Sequence, residues 1–574
     1  MTRWCACSAD GDPTRTLASV GAREQTRQGR LAFGLLDEPG AASAPVEAAG
    51  VTAVGEVTLF NAAALRSSLG RDAPRSDCSA IELLLHCYAR FGLAGLAQAD
   101  GMFALAIADG SDLVLVRDHT GARTLFHARA HGTWLASTSL RAVHRWPALD
   151  SGLNLSAVRS FLTFAYLPGT ETLLRGIREV LPGRCLRLRA DGSSKEEVFW
   201  EPREVADERP AADHAHALRA LLEEATARRL PEGEPAAVLL SGGVDSSLVT
   251  ALARKLHDQP VRTYSISFGD TLPNELGYSG LVAAHCHTEH RVLTVAGETV
   301  AARLPDTVAL LDSPVGDPLT VPNRLLAEAV AADGMPVVLN GEGGDPVFGG
   351  PKNLPMLISE LHRDDPDPRA RAMAYLDSYR KCHADLPVLL TGDVLAELDG
   401  APHPADLVEP YLRQGGMHSL LNQLLHANLR TKGAHHILTK VERITAASGL
   451  EGRSPLFARP VIDHAFRIPP RWKLAGTTEK WVLKESVRDL LPATVVDRPK
   501  SGMRVPVQQW LAGPLRELGN DLLLSRATRQ RGLFRPDTIR SWLRKEGTLL
   551  PRHGGKLWLV LTLELWLRSF DVGG

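Results

Sequence analysis

The chain has 574 residues, too many for one core; at roughly 150 residues per domain it holds two to four. Apolar residues make up 44% and charged residues 23%, a globular balance that excludes a disordered chain. Lys+Arg is 65 against Asp+Glu 66, so no basic excess exists to coat nucleic acid.

The first thirty residues read as polar and irregular, with no apolar core of signal-peptide type. From Val51 to about Arg145 the pattern changes to short β-type runs: VTLF (57–60), MFALAIAD (102–109) and DLVLVRD (112–118). Between them SAIELLLHCYA (79–89) has helical spacing, with Ser79 as its N-cap. The polar, turn-rich stretch 187–214 carries the expected boundary, giving domains over 1–205 and 206–574. A helix is expected soon after Pro210. AAVLL (236–240) then reads as a strand covered on both faces, SGGVDSS (241–247) as a tight turn, and SLVTALARKL (247–256) as a helix. VRTYSISF (261–268) and MPVVLN (335–340) read as further strands, with helical stretches between. This alternation predicts a doubly wound parallel α/β sheet, followed by a mainly helical last 150 residues. Within that part Leu557–Leu567 is the longest greasy stretch; its 11 residues, interrupted by Glu564, fall short of the ~20 that cross a bilayer. The seven cysteines form no Cys-x-x-Cys pair, so a reducing, cytoplasmic enzyme is expected.

The chemistry concentrates in two glycine-rich turns. In SGGVDSS two glycines allow a sharp bend and close approach to a ligand. The amides of the helix start, with the serine hydroxyls, favour an anion. No Gly-Lys-Ser/Thr ending follows, so this is not the P-loop that grips a γ-phosphate; the plain alternative is an ordinary capped strand–turn–helix. Asp245 beside phosphates would repel them, which calls for Mg²⁺ between. NGEGGD (340–345) follows the third strand, and ligands of parallel sheets bind beyond the carboxyl ends of strands. Asp345 is therefore the expected second Mg²⁺ ligand, and Glu342 the general base for an amine nucleophile. The histidines of AAHCHTEH (His285, His287, His290) and the pair His435-His436 are read as structural.

SGGVDSS resembles the pyrophosphate-binding PP-loop of ATP pyrophosphatases. Together with GEGGDPVFGG (341–350), TKVERITAASGLEGRSPL (439–456), IPPRWKLAGTTEKWVLKE (468–485) and RPKSGM (498–503), it makes most of the chain resemble the asparagine synthetase family. The resemblance implies a C-terminal PP-loop ATP pyrophosphatase-type parallel sheet with a helical C-terminal part. It implies a C–N ligase that uses ATP and Mg²⁺ to convert a carboxylate into an acyl-adenylate and pyrophosphate, with an amine then forming the amide. By matching position, Ser241, Gly242, Gly243, Asp245, Ser246 and Ser247 would hold pyrophosphate. Leu239, Ile266 and Gly341 would border the adenosine, Asp245 and Asp345 would share Mg²⁺, and Lys500 would steady the charge developing in the transition state. Gly344 and Pro346 replace a serine and an acidic residue of the family pattern, so the acceptor acid need not be aspartate.

The N-terminal part resembles a class II glutamine amidotransferase domain, an Ntn-hydrolase-like α+β fold, through GEVTLFNAAALRSSL (55–69), RSDCSAIELLLHCYARFG (75–92) and RDHTGARTLFH (117–127). That chemistry needs an N-terminal cysteine whose thiol attacks and whose amine is the base. Here position 2 is Thr2, Cys5 and Cys7 lie further in, and Val54 stands where the family has an oxyanion-binding asparagine; Asp77 reads as a surface residue. The expectation is an amide synthetase without a working glutaminase, taking small-molecule or peptide carboxylate and amine substrates, with no nucleic-acid or membrane partner. Four alternatives stay open: asparagine synthesis from glutamine; ring closure as in the β-lactam synthetases or lasso-peptide cyclases that the chain also resembles; a PP-loop enzyme that modifies nucleic acid; and a non-catalytic scaffold. Against ring closure, β-lactam synthetases carry tyrosine, and lasso cyclases often histidine, where Glu342 stands.

Overall fold

The computed structural model describes residues 3–38, 40, 42–269, 275–350, 356–357, 367–379, 381–413, 415–500, 502–545 and 553–572. Thr2, and Ser501 of the RPKSGM stretch, lie outside them. Where the sequence suggests one cut between 205 and 206, contacts divide the chain into two compact units in a more interleaved way. The first unit takes 1–153, 169–201 and 433–449; the second takes 154–168, 202–432 and 450–574.

The first unit is built from two six-stranded sheets. One contains β1 (Arg3–Ser8), β2 (Arg23–Gln28), β3 (Leu31–Leu36), β8 (Phe126–Ala130), β9 (Thr133–Ser137) and β10 (Ile177–Glu179), in the order β10-β8-β9-β1-β3-β2. The other contains β4 (Ser43–Ala48), β5 (Val51–Leu59), β6 (Gly101–Asp109), β7 (Asp112–Arg117), β11 (Arg184–Leu188) and β12 (Ser194–Val198), in the order β12-β11-β7-β6-β5-β4. Neighbouring strands run antiparallel. Trp4, Phe33 and Leu35 from the first sheet meet Val54, Ala104, Ala106 and Leu115 from the second in one buried cluster. The far face of the second sheet is covered by helix Ala80–Phe91, whose Leu84, Leu85 and Tyr88 face Phe103, Leu105 and Val116. Ser79 caps that helix, and Glu82 reaches back to the Ser79 amide in a capping box. This is an α+β organisation of two antiparallel sheets with a helix on the outer face of one.

The reading of the first thirty residues as irregular is corrected. RWCACS is a strand with all six residues buried, sandwiched between β3 and β9. It carries no periodic alternation, because a central strand covered on both faces needs none.

The second unit centres on a parallel sheet of β13 (Ala236–Leu239), β14 (Val261–Ser267), β15 (Glu289–Thr294), β16 (Val337–Leu339) and β17 (Glu451–Arg453), in the order β15-β14-β13-β16-β17. From β13 the chain builds outward through β14 and β15, then returns to lay β16 on β13's other side. The topological switch point therefore lies between β13 and β16, and a crevice opens beyond their carboxyl ends at such a point. Helices Ala211–Ala227 and Val244–Leu256 flank β13 in sequence. The C-terminal helix His553–Ser569 buries Trp558, Leu561 and Trp566, with Glu564 fully buried and held by Arg531 at 2.6 Å and Arg568 at 2.8 Å. Among the described residues no helix is long and apolar enough to cross a membrane.

Candidate active site

Both glycine-rich turns sit at the switch point. After β13, Gly242 takes φ +81°, and a Cβ there would lie 2.7 Å from the Ser279 amide nitrogen and from the Tyr278 Cβ, so only glycine fits the bend. The loop is braced internally: the Ser241 amide donates to Ser246 Oγ at 3.1 Å, the two hydroxyls lie 3.0 Å apart, and Ser246 Oγ donates to the Gly243 carbonyl at 3.2 Å. Gly243 is the N-cap of helix Val244–Leu256, so the opening amides of that helix face the crevice end of β13 with Asp245, Ser246 and Ser247 in its first turn. Leu239 and Ile266 lie at the carboxyl ends of β13 and β14, Ile266 buried and Leu239 half-buried.

The second turn packs directly on the first. After β16, the buried Asn340 accepts from the Glu342 amide at 3.0 Å and from Ser454 Oγ at 2.8 Å, which fixes the start of the loop. Gly341 passes so close to helix Val244–Leu256 that a Cβ would lie 2.4 Å from the Ser246 nitrogen and 2.6 Å from the Asp245 carbonyl carbon. Gly343 then turns at φ +111° into the short helix Gly344–Phe348, which carries Asp345. A Cβ on Gly344 would lie 2.2 Å from Asp245 Oδ1, so the serine of the family pattern would require the Asp245 carboxylate to stand elsewhere.

Three segments far apart in sequence thus bring Asp245, Asp345, Lys500 and a further lysine, Lys480, together. Lys500 Nζ lies 3.4 Å from Asp245 Oδ2 and 3.9 Å from Asp345 Oδ1. Lys480 Nζ lies closer, at 2.6 and 2.5 Å from the same two oxygens, and its side chain is 1% exposed. The segment carrying Lys500 is held in place: its amide donates to Glu479 Oε1 at 2.7 Å, Lys484 donates to the Arg498 carbonyl at 3.3 Å, and the Arg498 guanidinium lies 4.0 Å from the Tyr278 ring centre and donates to the Gly242 carbonyl at 3.3 Å. Burial alone would raise the Asp345 carboxyl, yet Lys480 and Lys500 hold it well below the usual carboxylate range. Burial would likewise lower the Lys500 ammonium, but Asp245, Asp345 and Glu342 hold it charged above the ordinary lysine range. Glu342, half-buried, is thus within electrostatic reach of Lys500.

Lys480 was not singled out by the sequence reading. Its signal was the lysine directly before the helix Trp481–Ser486 in TTEKWVLKE, but nothing local says that it points at two aspartates more than a hundred residues away. The donor set suits a hard divalent cation: both aspartates offer oxygen, Asp245 Oδ1 is buried with no hydrogen-bond partner among the described residues, and Asp345 keeps 40% of its side chain exposed. The histidines lie elsewhere. His285 meets the Leu490 carbonyl at 3.1 Å, His290 meets Thr263 at 2.9 Å, and His435 is buried against Glu179 at 3.1 Å. Among the described residues no group of three or more His, Cys, Asp or Glu is placed to hold a metal by itself.

In the first unit Cys5 and Cys7 are fully buried on β1. Burial pushes the Cys7 thiol up to about 12 and the Cys5 thiol higher still, away from the thiolate that nucleophilic attack requires. Val54 is buried in the core between the sheets, and Asp77 sits on the exposed surface paired with Arg75 at 3.1 Å.

Residues 22–200 match the glutamine amidotransferase domain family, and residues 217–568 match asparagine synthase. A Mycobacterium tuberculosis protein provisionally named glutamine-hydrolysing asparagine synthetase is 28% identical over 525 residues, covering 85% of this chain and 79% of its own. The Bacillus subtilis glutamine-hydrolysing asparagine synthetase 1 is 24% identical, covering 84% and 80%. The Streptomyces clavuligerus carboxyethyl-arginine β-lactam synthase is 27% identical, covering 79% and 73%. With the synthase match taking in more than half of its length, the chain belongs to the asparagine synthase family, whose members are ATP-dependent ligases that form C–N bonds.

Proposed function

We propose that this protein activates a small-molecule or peptide carboxylate with ATP and joins it to an amine that does not come from glutamine. The single observation that carries this is the meeting of Asp245, Asp345, Lys480 and Lys500 beside the braced SGGVDSS turn at the switch point of a parallel sheet. In this reading the amides and hydroxyls of Ser241, Gly242, Gly243, Ser246 and Ser247 grip the β- and γ-phosphates. Leu239, Ile266 and Gly341 border the adenosine. The acid's oxygen attacks the α-phosphorus, the bond to the β-phosphate oxygen breaks, and pyrophosphate leaves with its charge met by Lys480 and Lys500. The amine then attacks the acyl carbon, Glu342 takes the proton the nitrogen loses, and AMP departs as the amide forms. Asp245 and Asp345 would hold Mg²⁺, which supplies charge neutralisation on the phosphates.

The names of the relatives span asparagine formation and β-lactam ring closure, and both are amide syntheses on an activated acid. The buried thiols of Cys5 and Cys7 favour an amine delivered directly, as free ammonia or as the substrate's own or a second molecule's amine. The free cysteines and the use of ATP suit a cytoplasmic setting. The test is pyrophosphate release from ATP and Mg²⁺ by the purified full-length protein, across a panel of acids with and without amines. An acid-dependent signal that disappears in Asp245→Asn supports the proposal; no signal with any acid–amine pair defeats it.

A further inference from the structure

Lys480 raises a question that the synthetase reading does not answer. Its ammonium sits between Asp245 Oδ2 and Asp345 Oδ1, in the space that a divalent ion shared by these two carboxylates would have to enter. The ammonium donates to Asp245 Oδ2 at 2.6 Å and is ion-paired with Asp345 Oδ1 at 2.5 Å, so it fills the gap between the two carboxylates. A divalent cation held between these carboxylates would meet this ammonium at close range, and like charges that near repel. The position is a built one. Lys480 is buried, and its backbone stands at φ +55°, a left-handed conformation that residues with a Cβ enter only at a cost. Its carbonyl accepts the Lys484 amide at 2.9 Å, opening the helix Trp481–Ser486.

Charge counting extends the point. Asp245 and Asp345 face Lys480 and Lys500, with Glu342 acting on Lys500 and Lys432 on Asp345, so three carboxylates balance three ammoniums. A bare divalent cation entering it would meet two fixed positive charges within a few ångströms and would have to drive one ammonium from its carboxylate partners. A metal arriving on a nucleotide brings phosphate oxygens with it, and these give the displaced ammonium a new anionic partner.

We propose that Lys480 is a placeholder for the metal: it occupies the position between Asp245 and Asp345, admits a divalent cation only together with nucleotide phosphates, and transfers its own ammonium onto those phosphates as the metal enters. This rests on reading Asp245 and Asp345 as the metal ligands. It makes nucleotide and metal binding strongly and reciprocally coupled.

The experiment titrates the full-length protein with Mn²⁺, following free Mn²⁺ by electron paramagnetic resonance, without nucleotide and then with α,β-methylene-ATP. Without nucleotide, wild type and Asp345→Asn are expected to bind Mn²⁺ equally weakly. Lys480→Met is expected to gain a site about tenfold tighter or better, lost again in Lys480→Met with Asp345→Asn. With the analogue, wild type gains the site. A nucleotide-independent wild-type site that Asp345→Asn removes overturns the proposal, and so does a folded Lys480→Met that gains nothing. The wild-type comparison decides the matter even if Lys480→Met fails to fold. No acid or amine enters the titration, so its outcome is separate from that of the pyrophosphate-release test, on which the synthetase reading stands or falls.

Discussion

Replacing Gly341 with alanine tests how tightly the two turns must approach. The added Cβ would lie 2.4 Å from the Ser246 nitrogen, 2.6 Å from the Asp245 carbonyl carbon and 2.6 Å from the Ser246 Cα. All three are backbone atoms of a helix packed against β13, so no side chain can swing aside. Ordinary contact needs about 3.4 Å or more, so the turns must part by roughly 1 Å, carrying Asp345 away from Asp245; a displacement of that size costs on the order of 100-fold in rate. Overpacking adds about 1–3 kcal/mol of destabilisation, which leaves a protein of this size folded. The assay is acid-dependent ATP–pyrophosphate exchange at saturating substrates, with a thermal melt alongside. Gly392→Ala, where a Cβ meets nothing within 4 Å, is the control and should exchange at the wild-type rate. A folded Gly341→Ala that keeps its exchange rate within about threefold would refute the claim that close approach of these two backbones sets the site geometry.

Glu342→Gln is expected to retain ATP–pyrophosphate exchange while amide formation from added amine falls about 10²–10⁴-fold, measured by product mass spectrometry. Glutamine should yield neither free glutamate nor extra amide, because Cys5 and Cys7 are buried and their thiols protonated; an enzymatic glutamate assay checks this. Lys473 is fully buried, donates to Asn422 Oδ1 at 2.6 Å, and is lowered by burial from 10.5 to about 7 despite some lift from Glu204. Its unfolded state therefore binds the extra proton between about pH 7 and 10.5, so stability should rise with pH across that window, the full penalty applying below it. Urea titrations at pH 7 and 9.5 should show a rise bounded at about 3 kcal/mol, and Lys473→Met should flatten it. Arg531→Met leaves the buried Glu564 with Arg568 as its remaining ion pair and is expected to cost about 3 kcal/mol, read as a lower melting temperature.

Much of this fold was legible because its signals are local. Ser79 with Glu82 announced a helix start, the apolar runs 102–109 and 112–118 announced β6 and β7, and SGGVDSS between a greasy run and a helix announced the turn at the switch point. β1 escaped because a strand buried on both faces but rich in Cys, Ala and Ser looks like neither alternation nor a greasy run. β17, three residues long, has no pattern of its own and exists only because β16 offers it an edge. The site divides in the same way. Asp245, Glu342 and Asp345 stand in glycine-rich turns that advertise themselves, whereas Lys480 acquires its role only through a tertiary approach to two distant aspartates.

The interleaving of the two units has a practical consequence. Residues 433–449 belong by contact to the first unit, where Arg443 donates to the Thr138 carbonyl at 2.7 Å and Glu442 pairs with Arg3 at 3.6 Å. A gene truncated after residue 205 would encode an amidotransferase-like half stripped of both side chains, with Arg3 left buried and short of its carboxylate. The synthetase half cannot shed its companion by a simple deletion, because residues 433–449 of the first unit are threaded through its own stretch of chain.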